Sequence, residues 1–285
     1  MTAATRNAPS HQALARFWDE RARAFSRADA EGWSAVCHRG APEYFNAFLD
    51  WSQHRALRPL LSAMSYRPGD SAVDVGCGTG RWTRELRSLG LNARGFDVAP
   101  GMVERARELS PDIFFDVAGA GELPLPTASQ QVVTCVTVLH HLALEQQEQA
   151  VTEIARVLRP GGSCVTISLL NTLPSGAWCF PRNRAGWIGL FETNGLSPVR
   201  HLGEEFLTPG ILGQWVAAGC AAILRGQSSG SDRWVGAGSG PASALYRLVH
   251  HAAVLASYPL EAAASRWWPT APASGLASLW RKEAE

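Results

Sequence analysis

The segment Val73-Asp74-Val75-Gly76-Cys77-Gly78-Thr79-Gly80-Arg81 limits what this chain can fold into more than any other. A β-branched run ends in three alternate glycines, and an amphipathic stretch opens near Arg81. Alternate glycines let the backbone turn tightly and let a ligand lie against it, where any Cβ would collide. A helix starting just beyond offers unpaired N–H groups to a carboxylate or phosphate. The spacing is G-x-G-x-G rather than the dinucleotide fingerprint G-x-G-x-x-G, and no G-K-[ST] follows.

From Ser71 to about Asn171, short β-branched runs alternate with amphipathic stretches, the pattern of βαβ units around a parallel sheet. Strands are predicted at Ala72 to Val75, Ala93 to Asp97, Ile113 to Val117, Val132 to Val138 and Ser163 to Leu169. Helices start near Arg81, Pro100 and Leu144. Upstream, Leu14, Phe17, Trp18, Ala22 and Phe25 recur at helical spacing, as do Phe45, Phe48, Leu49, Ser52, Ala56 and Leu60. Downstream, a helix over Trp187 to Asn194 closes on Gly195, and a strand follows over Ser197 to Leu202. A late helix carries Leu245, Leu248, Val249, Ala252, Leu255 and Ala256 on one face, and Leu276 to Arg281 reads as a last strand.

The expected fold class is therefore α/β, a doubly wound, seven-stranded, mostly parallel sheet. Its expected divisions are an N-terminal helical cap (1–70), a core (71–207), an apolar helical insertion or lid (208–270) and a last core strand (271–285).

Composition narrows the function classes. Lys and Arg number 26 against 25 Asp and Glu, a net charge of +1 that leaves no electrostatic footprint for nucleic acid. At 46% hydrophobic residues the chain is too apolar for disorder. Cys37, Cys77, Cys135, Cys164, Cys179 and Cys220 form no C-x-x-C pair and have no His at ligand spacing, so neither a metal site nor a disulfide framework is expected. The N-terminus lacks the apolar core of a secretory signal. The longest uncharged run, Thr208 to Leu224, is short and broken by Pro209, Gly210, Gly213 and Gly219. The expectation is a cytoplasmic monomer or homodimer without stable membrane insertion.

Two carboxylates sharpen the ligand. Asp74 sits in the strand end and suits a cationic group such as an amino-acid ammonium. Asp97, nineteen positions after Gly78 at the end of the next strand, can accept both hydroxyls of a ribose. A ligand with a ribose at one end and a charged amino acid at the other is described by S-adenosylmethionine. Nicotinamide-dependent oxidoreduction shares the Asp97 argument but not the glycine spacing.

VDVGCGTGRW, GFDVAPGMVERAR, VTVLHHL and ARVLRPGGSCVTI resemble, in order and spacing, the motifs of the class I S-adenosylmethionine-dependent methyltransferases, over roughly Ser71 to Leu169. The look is that of the small-molecule branch similar to ubiquinone and menaquinone methyltransferases. The resemblance implies a Rossmann-like fold, S-adenosyl-L-methionine as cofactor and a small-molecule acceptor. It implies cofactor contacts from Asp74, Gly76, Cys77, Gly78 and Gly80, then Asp97, Val98 and Met102, then Gly119 and Ala120, and Thr137 beside the methyl group. Two departures stand out. Gly119 replaces the aspartate that caps the adenine amino group in relatives, and Gln130-Gln131 replaces Phe-Asp before the fourth strand.

His140 and His141 lie at the carboxyl end of the fourth strand, where an open α/β sheet places its ligands. One of them is a candidate general base; the plainer reading is a His bonded to a loop carbonyl and another packed beneath the cofactor. Ser168 reads as structural. Arg182 and Arg184 are candidates for an acidic group or solvated loop residues, Glu204-Glu205 for a base or, the plainer reading, a solvated turn, and His250 and His251 for a substrate contact or, by default, ordinary helix residues. No carboxylate pair or nucleophile set competes with methyl transfer, in which positioning supplies much of the rate.

Of 11 tryptophans only Trp82 falls in the cofactor zone, while Trp178, Trp187, Trp215, Trp234, Trp267, Trp268 and Trp280 follow it. They either line a lid over an apolar or aromatic acceptor or seal that lid against the sheet. The functional expectation is methyl transfer from S-adenosylmethionine to O, C or N of such an acceptor, in specialised metabolism. Open alternatives are a non-catalytic cofactor-binding partner protein and a methyltransferase acting on a membrane lipid or lipid-linked sugar.

Overall fold

The computed structural model describes residues 10–37, 41–170, 178–204, 241–267 and 273–283, with side chains described from 248 onward in the 241–267 helix. The part of the expected lid between 208 and 240, with Trp215, Trp234 and Cys220, lies outside the described residues, as does Trp268.

Seven strands form one sheet in the order β3-β2-β1-β4-β5-β7-β6. They are β1 Ser71–Val75, β2 Asn92–Asp97, β3 Phe114–Val117, β4 Gln130–Val136, β5 Leu158–Leu169, β6 Leu196–Glu204 and β7 Gly275–Lys282. Every pairing is parallel except those of β7, which runs antiparallel to β5 and β6. All seven coincide with predicted strands, although β5 begins five residues earlier than Ser163, at Leu158. Parallel neighbours need crossovers. Helices α4 (Arg81–Ser88), α5 (Pro100–Leu109) and α6 (Leu144–Val157) supply them, each starting where the sequence placed it.

Alternation along β1 divides the core into two layers. Val73 and Val75 face α6 and α7 (Arg184–Glu192), meeting Val151, Ile154, Trp187 and Phe191. Ala72 faces the other layer, with Trp82 and Leu86 of α4 and Leu57 and Leu60 of α3 (Glu43–Leu61). Burial on both faces explains the nearly continuous apolar strands.

Trp187 and Trp280 do not belong to a lid. Both are about 1% exposed. Trp187 Nε1 donates to the Leu169 carbonyl at 2.9 Å and Trp280 Nε1 to Thr166 Oγ1 at 3.1 Å, while Trp280 stacks on Phe191 at 4.2 Å. They pack against β5 and α7 in the core.

The late helix, α8 (Pro241–Trp267), turns the opposite way from its apolar pattern. Leu248 is 68% and Leu255 58% exposed, whereas His250, Val254, Ser257, Glu261 and Ala264 are buried. Polar partners on α3 decide this orientation. His250 Nδ1 lies 3.0 Å from the Tyr44 hydroxyl, and Glu261 accepts from Arg55 at 2.8 Å and from Ser52 at 3.4 Å. A buried Glu without that guanidinium would carry a desolvation cost of several kcal/mol.

Two N-terminal helices, α1 (His11–Phe25) and α2 (Trp33–Val36), cover the carboxyl edge of the sheet. Asp29 fixes α2 by accepting the Trp33 and Ser34 N–H groups, each at 2.8 Å. Asp19 of α1 accepts the Gly101 N–H in the first turn of α5, also at 2.8 Å. The cap is thereby tied to the core beside the end of β2.

Candidate active site

The strand order reverses between β1 and β4, and open α/β sheets bind ligands at such a switch point. A cleft opens there, holding about 930 Å³ of non-atom space with its solvent-facing mouth included. Its floor is the glycine loop after β1, its sides follow β2, β3 and β4, and α1 and α2 roof it.

The glycine loop folds as its sequence requires. Gly76, Gly78 and Gly80 all have positive φ, at 70°, 53° and 82°. A Cβ on Gly76 would overlap Val138, and one on Gly78 would come 2.6 Å from Val36 Cγ1. The loop is therefore clamped between β4 and the N-terminal cap. Gly76 and Cys77 donate to the Phe96 carbonyl at 2.7 and 2.9 Å, binding the loop to β2.

Asp97 stands at the end of β2 with one carboxylate oxygen accepting the Gly78 N–H and the other the Ala99 N–H, each at 2.9 Å. Burial pushes its carboxyl pKa up, and these backbone donors oppose the shift. Each oxygen keeps a lone pair beyond the one used. A fixed carboxylate with spare acceptor capacity on a cleft wall fits a pair of ribose hydroxyls. Nearby Gly119 leaves open space where a side chain would be, room that fits a flat base.

Of the residues singled out from sequence, Gly76, Cys77, Gly78, Asp97, Val98, Met102, Gly119, Ala120, Thr137 and His141 line this one cleft. Asp74, Gly80 and His140 do not. Asp74 is 1% exposed, and its two oxygens accept from Thr83 and Thr134 hydroxyls at 2.8 Å each. Its side chain faces α4 inside the sheet and staples β1, β4 and α4 beneath the loop. Burial raises its pKa to about 6. Gly80 turns the backbone into α4 and lies against Phe115. His140 is buried, with Nδ1 accepting the Leu169 N–H at 3.3 Å, and burial holds its pKa well below the usual imidazole value.

His141 reaches the cleft. Its Nδ1 lies 2.8 Å from the Trp178 carbonyl, so Nδ1 carries the proton and Nε2 keeps its lone pair. Its ring meets the edge of Trp18 at 4.9 Å. Burial lowers its pKa to about 4, despite the carbonyl contact. Thr137 precedes this turn with φ of 58°, an outlier for a β-branched residue and the kind of strain kept at functional sites. Its N–H bonds the Ile167 carbonyl at 2.9 Å, which holds the outlier in place.

Several cleft residues were not singled out from sequence as site residues. His11, Leu14 and Trp18 come from α1, Val36 from α2, and Arg81 and Trp82 from α4. Leu14 and Trp18 belong to the helical stripe, so their apolar spacing was visible while their cleft was not. Arg182, a candidate for an acidic ligand, instead bonds Gln147 at 2.6 Å and lies outside the cleft.

Comparison with known proteins agrees with this geometry. Residues 73–166 match the family described as a methyltransferase domain. The chain is 33% identical over 118 residues to malonyl-[acyl-carrier protein] O-methyltransferase of Serratia marcescens, covering 41% of this chain and 44% of that protein. It is 31% identical over 137 residues to 27-O-demethylrifamycin SV methyltransferase of Amycolatopsis mediterranei, covering 46% and 50%. The chain thus spans about half the length of these curated relatives. Among solved structures, the [4+2]-cyclase SpnF superposes with a TM-score of 0.62 at 19% identity, over 98% of both chains. Magnesium protoporphyrin IX methyltransferase from Synechocystis, with bound SAH, superposes with a TM-score of 0.55 at 17% identity, over 69% of this chain and 94% of its own. Residues 73–166 are thus similar to a methyltransferase domain, and the curated relatives matched in sequence include methyltransferases.

Proposed function

We propose that the chain transfers the methyl group of S-adenosylmethionine to an oxygen, carbon or nitrogen of a small, largely apolar or aromatic acceptor, in specialised metabolism. The observation that carries this reading is one cleft in which Asp97 and the glycine loop face apolar walls from Leu14, Trp18, Val36, Met102 and Leu142, with His141 beside them. Bound there, the cofactor supplies an electrophilic methyl group on a sulfonium.

The residues divide the remaining work. Asp97 accepts the ribose hydroxyls, and the bare backbone of Gly76 to Gly78 admits the amino-acid end. Trp18 and its apolar neighbours exclude water and orient the acceptor, which raises the effective concentration of the attacking atom. His141 takes the acceptor's proton at Nε2 while the Trp178 carbonyl fixes its ring.

SpnF, similar in fold at 19% identity, is a [4+2]-cyclase, so cofactor binding is the first point to test. Calorimetry with S-adenosylhomocysteine tests the reading at its first step. One site is expected in the wild type, with binding weakened at least about tenfold in Asp97→Ala, the loss of a charge-assisted hydrogen-bond pair. No binding, or binding indifferent to Asp97→Ala, overturns it.

A further inference from the structure

The end of the cleft beside Val36, Arg81 and Trp82 holds polar groups that the proposed methyl transfer does not use. Trp82 lines the cleft and is 95% buried by its 5% exposure, yet its indole Nε1–H has no hydrogen-bond partner among the described residues. The Nε–H of the adjacent Arg81 is likewise buried and unmatched. The Arg81 guanidinium carbon sits 4.7 Å from the centroid of the Trp82 ring, which puts the two donors on one patch. A buried donor left unmade costs about 1–3 kcal/mol, so two side by side call for a partner. Neither atom is open to water in this conformation.

Charge decides what the partner is. Arg81 is already paired with Asp50 at 2.6 Å and also bonds Gln53. His54, whose ring lies 4.5 Å from that of Trp82, is matched by Asp50 at 3.3 Å and Glu85 at 3.9 Å. One guanidinium and, when protonated, one imidazole face two carboxylates, so the patch has no surplus positive charge to offer an anion. What it offers is N–H donors beside an apolar wall of Val36 and Val136.

We propose that this end of the cleft is the acceptor subsite for a neutral carbonyl oxygen on an otherwise apolar acceptor, with the Trp82 indole N–H as the donor that holds it. The proposal rests on the methyl-transfer reading and narrows its acceptor to an apolar carbonyl compound.

Benzophenone and diphenylmethane, alike in shape and differing by a carbonyl, test it on the full chain loaded with S-adenosylhomocysteine. The isotope-labelled indole N–H resonance of Trp82, identified by its disappearance in Trp82→Phe, is expected to shift with benzophenone and not with diphenylmethane. The wild type is expected to prefer benzophenone about tenfold, and Trp82→Phe to lose that preference. An unmoved resonance, a preference that survives Trp82→Phe, or a larger shift with benzoate overturns the assignment. Unmoved indole with normal S-adenosylhomocysteine binding overturns the subsite alone, whereas failure to bind S-adenosylhomocysteine overturns the methyl-transfer reading as well.

Discussion

The Asp97 carboxylate accepts the Gly78 N–H at 2.9 Å, joining the end of β2 to the middle of the glycine loop. Gly78 in turn lies under Val36 of the N-terminal cap. The residue proposed to hold the ribose, the loop proposed to admit the amino-acid end and the roof are therefore one mechanical unit.

Gly78→Ala tests that unit. Its Cβ would meet Val36 at 2.6 Å in a backbone with φ of 53°, so S-adenosylhomocysteine affinity is expected to fall at least about tenfold. Adding Val36→Ala relieves the overlap but not the backbone strain, and part of the affinity is expected to return. Calorimetry on both single variants and the double variant measures the coupling. Strictly additive losses would contradict the clamp.

Gly119→Asp is expected to tighten binding. An added Cβ at Gly119 meets nothing within 4 Å, and the resemblance drawn from the sequence implies an aspartate at this position over the adenine amino group. A new charge-assisted hydrogen bond makes the expected gain about fivefold to tenfold in S-adenosylhomocysteine affinity. Unchanged or weaker affinity would place the adenine elsewhere.

His141→Ala is expected to lower kcat by about 10²-fold or more while leaving S-adenosylhomocysteine affinity nearly unchanged. Because burial lowers the pKa of His141 to about 4, the folded chain binds fewer protons here than the unfolded chain. Its neutral form, and the stability linked to it, persist above the ordinary imidazole value and are lost as pH falls toward 4. The rate of the wild type should then show no imidazole-linked loss between about pH 7 and 5. A limb centred near the ordinary imidazole pKa would remove His141 from the role of base.

Asp74→Asn separates a structural carboxylate from a ligand-binding one. Burial raises the folded pKa of Asp74 to about 6, so its linked stability is full below the unfolded value and is lost as pH rises through 6. The Asn variant lacks that loss. Its stability relative to wild type is expected to improve from pH 4 to pH 7 by up to about 3 kcal/mol, read from denaturant midpoints. The opposite slope, or a loss of S-adenosylhomocysteine binding with folding intact, would return Asp74 to the ligand.

The contrast between Asp74 and Asp97 shows what the sequence could and could not say. Both were visible as carboxylates at strand ends, but alternation along β1 puts Asp74 on the Ala72 side, facing α4, where Thr83 claims it. The strand pattern was legible because burial on both sides of a parallel sheet leaves an apolar signature within each short segment. The orientation of α8 was not, because Tyr44 and His250, which help fix it, are 206 positions apart. Leu248 and Leu255 mark an apolar stripe in the sequence, yet the buried Glu261 overrules it by pairing with Arg55. His140 and His141 were indistinguishable as neighbours in sequence; the turn after Thr137 sends one into the core and the other to the cleft.

Transfer of label tests the central claim most directly. Methyl-tritiated S-adenosylmethionine is incubated with an extract of small apolar compounds, with and without the purified chain. The account predicts radioactivity in an organic-soluble acceptor only when the chain is present, reduced by about a hundredfold or more with His141→Ala. Tight binding of the cofactor with no label transferred to any acceptor would contradict it and leave a cofactor-binding protein without methyl transfer.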